Sequence, residues 1–340
     1  MSIHFIYVIL ESDAYYYSSY MELLHLLVKN YSHINPIYFS ILWDSDKAKQ
    51  SIIHHFEPHG NTCIKIDRTM DINKNIASFV NNSYELFQST IKIFTFYCHG
   101  NIWFFRHDNK ISPFSSLFSK LKYKFDIIFL ECCYTASIEN CIELKDKATL
   151  LITSEYKHSR CLCLDLNCIL DIKHILYNST SNVLTLIAIA LASTYINKIN
   201  AISFYDSDVL SLDSDIVIID LTNFQHLYHV LKKINLNNLT HDAYKNSKLN
   251  SVISSKNIGY DIYHAIHLDD TNNINDKNIF FEIFNKTIIY YKQSNLLQNK
   301  KNAHRMHGLN WSPAPYDSEH GWTYKYTNIF PDHNLFTIYK

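Results

Sequence analysis

The chain has 340 residues, 47% hydrophobic and 19% charged, the balance of a folded globular protein with room for one large domain or a domain plus an accessory region. Thirty-one Lys and Arg against 32 Asp and Glu leave a net charge of −1 with no basic block, so the electrostatic footprint of a nucleic-acid binder is missing. Eight cysteines at irregular spacing fit thiols in a reducing compartment better than a disulfide framework.

The first residues carry no basic leader, and Glu11 and Asp13 follow the apolar run directly, so Ile3–Leu10 reads as a strand and not as a signal peptide. The expectation is a protein that is cytoplasmic when made, with a leaderless route of secretion, or of delivery into a host, as the alternative. Tyr20, Leu23, Leu24 and Leu27 then form a helical stripe, followed by apolar runs at Ile37–Leu42 and Cys63–Ile66. A second stripe is Ile76, Phe79, Tyr84 and Phe87. The run Ile91–Tyr97 comes next, then a third stripe of Phe114, Leu117, Phe118 and Leu121, then Asp126–Leu130 and Thr149–Thr153. Short β-branched and aromatic runs alternating with helical spacing predict an α/β sandwich of three layers, a mostly parallel sheet with helices on both faces.

Ser179 to Lys198 reads as one long buried helix. Its apolar core, Val183 to Ala192, is too short to cross a bilayer, so no membrane partner is expected. Asp215–Leu221 reads as a strand and Phe224–Lys233 as a helix, whereas residues 234–280 read as loops and short elements. Ile288–Tyr291 and the Trp311–Tyr316 region close the ordered pattern. The expected division is a catalytic domain over 1–205 and an accessory region over 206–340 packed on it.

Two strand ends carry chemistry. One reads Phe96-Tyr97-Cys98-His99-Gly100, the other Leu130-Glu131-Cys132-Cys133. Catalytic groups of open α/β sheets gather at the carboxyl ends of the strands, and one crossover helix fits between these two. A thiol needs a nearby imidazole to act as a nucleophile, and the imidazole then protonates the leaving amine. Gly100 leaves its N–H open toward an oxyanion, with the Cys133 N–H as second donor. Separately each feature is weak: the chain has 19 His, a second His-Gly pair stands at His307-Gly308, and a lone buried Cys is usually a small hydrophobe.

These motifs resemble those of the clostripain family of cysteine peptidases, in the caspase–haemoglobinase clan with gingipain, legumain and the caspases. The family's His-Gly-x-Gly-Trp appears as His99-Gly100-Asn101-Ile102-Trp103. Its Asp-Ala-Cys-Leu-Met-Gly appears as Glu131-Cys132-Cys133-Tyr134-Thr135-Ala136, and Ser154-Glu155 resembles the Ser-Glu that ends its next strand. The opening strand, Tyr7–Asp13, and the strand ending at Asp44 are also similar. The resemblance is specific over 1–155 and loose after it.

By position it makes Cys133 the nucleophile and His99 its partner, with Glu131, Ser154 and Glu155 lining a pocket for a basic P1 side chain. The segment after Glu155 departs from the family: Tyr156-Lys157-His158-Ser159-Arg160 replaces Gly-Trp, and Lys157 and Arg160 could neutralise that pocket. The resemblance further implies a protein or peptide substrate, a monomer, and no required cofactor, though calcium dependence is common in the family. Asp206, Asp208, Asp213 and Asp215 are calcium candidates by residue type only. Arg106 and Lys110 lie where relatives are cut during self-activation.

His158, Cys161, Cys163 and Cys168 could bind zinc by type, but their spacing is not that of a paired knuckle, and Leu alternates with Cys as in a strand. No metal is expected there. The chain lacks a P-loop and a Gly-rich dinucleotide turn. Two rivals to a hydrolase stay open: a catalytically silent scaffold that binds partner proteins, and a peptide ligase of the same clan.

Overall fold

A computed structural model describes residues 1–11, 14–34, 36–45, 50–57, 60–67, 71–101, 104–107, 110–156, 158–159, 164–201, 213–234, 260–269, 272–300 and 303–311. The strands run in chain order as β1 (Ile3–Glu11), β2 (Ile37–Ser45), β3 (Gln50–Glu57), β4 (Gly60–Asp67) and β5 (Ile91–Tyr97). A small hairpin pair follows as β6 (His99–Asn101), β7 (Phe104–His107) and β8 (Lys110–Pro113). Then come β9 (Phe125–Glu131), β10 (Ala148–Thr153), β11 (Asp215–Asp220), β12 (Tyr260–Asp261), β13 (Ile288–Gln293) and β14 (Asn310–Trp311).

Nine of these form one sheet in the order β13-β11-β10-β9-β5-β1-β2-β3-β4. The middle five, from β10 to β2, are parallel, while β3 and β4 join one edge and β11 and β13 the other through antiparallel pairs. Buried on both faces, the central strands are apolar at most positions, which is why they read as near-continuous apolar runs in the sequence, with His4, Ser40 and Thr95 among the buried polar exceptions.

Two cores sit on the two faces. On β1, Ile6, Val8 and Leu10 point to one, and Ile3, Phe5, Tyr7 and Ile9 to the other, the period of two that a pleated strand imposes. The first core is covered by α2 (Ile72–Leu86), α3 (Phe114–Phe118), α4 (Ile138–Leu144), α7 (Leu221–Leu231), α8 (Ile262–Leu268) and α9 (Ile274–Thr287). The second is covered by α1 (Ala14–Ile34), α5 (Leu166–Asn178) and α6 (Val183–Ala201). By length and composition α6 could cross a membrane, yet Ile187, Leu191, Tyr195 and Ile199 are buried against the sheet.

Several expectations are corrected. The helix expected from Ser179 begins at Val183, because Ser179 instead closes α5, its N–H donating to the Ile175 carbonyl at 3.0 Å. Cys161 and Cys163 of the Leu-Cys alternation lie outside the described residues, whereas Cys168 lies in α5, whose N-cap Asp165 accepts the Cys168 N–H at 2.8 Å. Residues 234–280, expected as loops and short elements, contain α8 and the first half of α9, each opened by a side-chain cap, Asp261 and Asn273. Two strands of the sheet, β11 and β13, come from the region beyond residue 205.

Candidate active site

Strands β5 and β9 are paired in parallel up to Tyr97 opposite Glu131. The chain then supplies Cys98 and His99 on one side and Cys132 and Cys133 on the other, so the two motif residues lie two positions past the same register pair. His99 is held in a second way, because it opens β6 and pairs with Arg106 of β7. Gly100 ties the motifs together. A Cβ built on it would lie 2.7 Å from Cys132 Cβ and 3.4 Å from Phe114 Cζ, so only a glycine lets the His strand approach the Cys strand this closely.

The two adjacent cysteines have different surroundings. Cys132 belongs to the first core with Phe96, Leu130 and Cys98, and its Sγ lies 3.2 Å from Cys98 Sγ. Burial pushes the Cys98 thiol well up, and the Cys132 thiol against it adds to the effect, which keeps Cys98 neutral. Cys133 is partly exposed and lies outside both cores. Its Sγ faces the backbone of His158, with the amide nitrogen at 3.4 Å and the carbonyl oxygen at 3.6 Å. Glu131 is buried and accepts a hydrogen bond from the Tyr7 hydroxyl.

The turn after Cys133 is strained and well anchored. Tyr134 has φ +59°, a left-handed conformation that a non-glycine residue adopts only when its surroundings enforce it. They do so through the chain leaving β10. Tyr134 N–H donates to the Tyr156 carbonyl at 2.6 Å, and Ala136 N–H to the Ser154 carbonyl at 2.9 Å. Thr135 Oγ1 closes the turn on the Cys132 carbonyl at 3.0 Å, and Ser137 caps α4 by accepting the Asn140 N–H at 3.1 Å. The Tyr134 N–H is thereby engaged within the fold.

Ser154 and Glu155 lie on the far side of β9, and both are wholly buried. Ser154 Oγ donates to the Asp215 carbonyl at 2.8 Å. Glu155 accepts the Gly308 N–H at 2.7 Å and lies against Asp261. Burial first, and the Asp261 charge second, raise its carboxyl well above the usual range. The Glu155 side chain is thus engaged inside the fold through Oε2. Lys157, Arg160, Ile102 and Trp103 lie outside the described residues, as do the side chains of Arg106 and Lys110.

Sequence reasoning missed the C-terminal segment. Asn310 N–H donates to the Ala136 carbonyl at 2.8 Å, and its side-chain amide reaches the carbonyls of Tyr134 at 3.3 Å and Glu155 at 3.1 Å. His307 anchors the same segment to Asp261, with Nδ1 at 3.0 Å and N–H at 2.7 Å. Gly308, at φ +98°, is the turn between them. The one available signal was the second His-Gly pair, but nothing in its spacing points to a residue so distant in sequence.

Two of the four calcium candidates, Asp213 and Asp215, have protein partners. Asp215 accepts the amides of Glu155 and Tyr156, each at 3.0 Å, and Asp213 pairs with Lys300. Asp206 and Asp208 lie outside the described residues, as do Cys161 and Cys163. Among the described residues no group of three or more His, Cys, Asp or Glu side chains is arranged to hold a metal.

The fold is that of the C11, or clostripain-family, cysteine proteases. A secreted C11 cysteine protease of Bacteroides thetaiotaomicron, iotapain, is 15% identical with a TM-score of 0.66, covering 92% of this chain and 93% of its own. A secreted C11 protease of the same organism, in complex with an irreversible peptide inhibitor, is 13% identical at 0.66, covering 97% of each chain. An inactive zymogen C11 protease of Parabacteroides distasonis is 14% identical at 0.59, covering 92% and 91%. No family model matches the sequence, and no curated protein matches it. The expectation of a cytoplasmic protein is corrected by these comparisons, since the similar Bacteroides protease is a secreted one.

Proposed function

We propose that the protein is a cysteine endopeptidase in which Cys133 and His99 form the catalytic dyad, acting as a monomer on protein or peptide substrates outside the cytoplasm. The observation that carries this reading is the contrast between the neighbours: Cys132 is sealed in the core, while Cys133 is partly exposed at the strand end that adjoins His99. His99 takes the thiol proton as the sulfur bonds to the scissile carbonyl carbon. The oxyanion is met by the Gly100 and Cys133 amides. Cleavage of the C–N bond transfers the proton from His99 to the leaving amine, and water then releases the acyl group.

Specificity for Arg or Lys at P1 follows from Glu131. It lies two residues before Cys133, so the alternation of the strand puts it on the nucleophile's face, and a buried carboxylate favours a cationic partner. The test is cleavage of a positional P1 peptide library by wild-type protein, Cys133→Ala and Glu131→Gln, with and without calcium. Cutting after Arg or Lys that needs Cys133 and weakens in Glu131→Gln supports the whole reading. Cutting with another P1 preference removes Glu131 from the pocket, and no cutting in any condition removes the peptidase.

A further inference from the structure

The chain leaving β10 brings one backbone amide to the sulfur of Cys133. A neutral thiol can turn its weak S–H toward the His158 carbonyl at 3.6 Å, but a thiolate has no proton to give and only accepts. Of the two His158 contacts, the N–H at 3.4 Å is therefore the one that strengthens on ionisation. An amide helps only if it is fixed, and this one is. The His158 ring is buried and stacks on Tyr195 of α6, with centroids 4.2 Å apart and planes 20° from parallel. Its Nδ1 lies 2.9 Å from the Ser159 carbonyl, and Ser159 N–H donates to the Tyr195 hydroxyl at 2.6 Å.

The ring itself carries no charge to the site, because burial pulls its pKa down to about 3. Its Nε2 is buried with no hydrogen-bond partner among the described residues, a cost the fold accepts in keeping the ring there. Among the described residues, the other titratable groups around Cys133 include His99 and Glu131 at the two strand ends, Cys98 and Cys132 beneath, and Tyr134 and Tyr156 beside it.

We propose that the His158 amide is a thiolate-stabilising donor to Cys133 and that Tyr195 is the positioning residue that aims it. The proposal rests on the reading of Cys133 as the nucleophile. Its test does not need peptidase activity: the rate of Cys133 alkylation by iodoacetamide is followed against pH by peptide mass, in wild type and Tyr195→Phe, each also with His99→Ala. Phenylalanine keeps the ring stack but leaves Ser159 N–H without its acceptor. The alkylation midpoint should rise by about half to one pH unit, so that the reaction below it slows roughly threefold to tenfold. The shift should persist with His99→Ala, because the amide acts independently of the imidazole.

A profile that superimposes on wild type overturns the proposal. Should Tyr195→Phe not fold, His158→Phe keeps the stack and removes the Nδ1 contact, and the same shift is expected. A shifted midpoint in a protein that cuts no peptide leaves the amide's role standing while the peptidase reading falls. An unshifted midpoint in an active peptidase does the reverse.

Discussion

Replacing Gly100 by alanine tests the close approach on which the candidate site depends. The new Cβ would meet Cys132 Cβ at 2.7 Å, well inside the ~3.5–4.0 Å of a comfortable carbon–carbon contact. Cys132 cannot yield, because its Sγ is wedged between Cys98 Sγ at 3.2 Å and the Phe96 carbonyl at 3.6 Å. The two strand ends must therefore separate. Overpacking of this kind costs about 1–3 kcal/mol, or a melting temperature lower by roughly 2–8 °C. His99 and Cys133 are the chain neighbours of the colliding residues, so turnover should fall by more than stability does; a misplacement near 1 Å can cost about a hundredfold. Thermal unfolding and kcat/KM on the best peptide measure both effects. Cys132→Ala keeps the offending Cβ and should bring no relief, whereas Cys132→Gly removes it, so Gly100→Ala with Cys132→Gly should be destabilised by less than the sum of the two. Wild-type melting and turnover in Gly100→Ala, or strict additivity in the double variant, would refute the reasoning.

Cys133→Ala should abolish turnover with little change in melting, whereas Cys132→Ala should retain turnover and lose about 1 kcal/mol of stability to the vacated core volume; the opposite pattern in the two assays would exchange their roles. Asn310→Ala leaves the carbonyls of Tyr134 and Glu155 without their donor, and unfolding by urea should show a loss of about 1–3 kcal/mol together with reduced turnover. Asp261 is raised from 3.8 to about 7, by burial first, against the pull of its hydrogen bonds from Glu155 and from the His264 and His307 amides. The folded state thus holds a proton that the unfolded chain has released between about pH 4 and 7, so stability is greatest on the acid side and falls by roughly 1–4 kcal/mol as pH rises through that window. Glu155→Gln can donate an N–H to Asp261 while still accepting from Gly308, and urea titrations at several pH values should show a smaller fall.

The parts of the fold that sequence made legible are those where burial acts on every residue. Ile91–Tyr97 is one such strand, with all seven residues buried, and its observed ends match the apolar run. Strand β3, Gln50–Glu57, went unread because it lies near the edge and carries Gln, Ser, His and Glu, which blur any run or alternation. Helix α5 was hidden by the Leu-Cys alternation just before it. At the site, the His and Cys motifs were legible because each is local to one strand end. The placement of Glu155 was not, since its partners are Gly308 and Asp261, far along the chain. The Asn310 contacts were illegible for the same reason.

The pleat accounts for why two adjacent cysteines serve different ends. On β9, Leu130 points into the first core and Phe129 into the second, so Cys132 continues the first row and Cys133 the second. The first row is closed by the β6–β8 hairpin, whose Phe105 packs in that core and whose first strand begins at His99. The second row would be closed by helices, but the chain leaving β10 intervenes there. Its residues 154, 156 and 158 meet 136, 134 and 133 in turn, through two carbonyls and then through the backbone facing the sulfur. The Asn310 amide and its own N–H fasten this seam from outside. A thiol beside a left-handed residue needs such fastening if its sulfur is to stay in place, because the strain at Tyr134 would otherwise relax by moving it. The C-terminal residues are on this account as much a part of the candidate site as the strand ends that carry its thiol and imidazole.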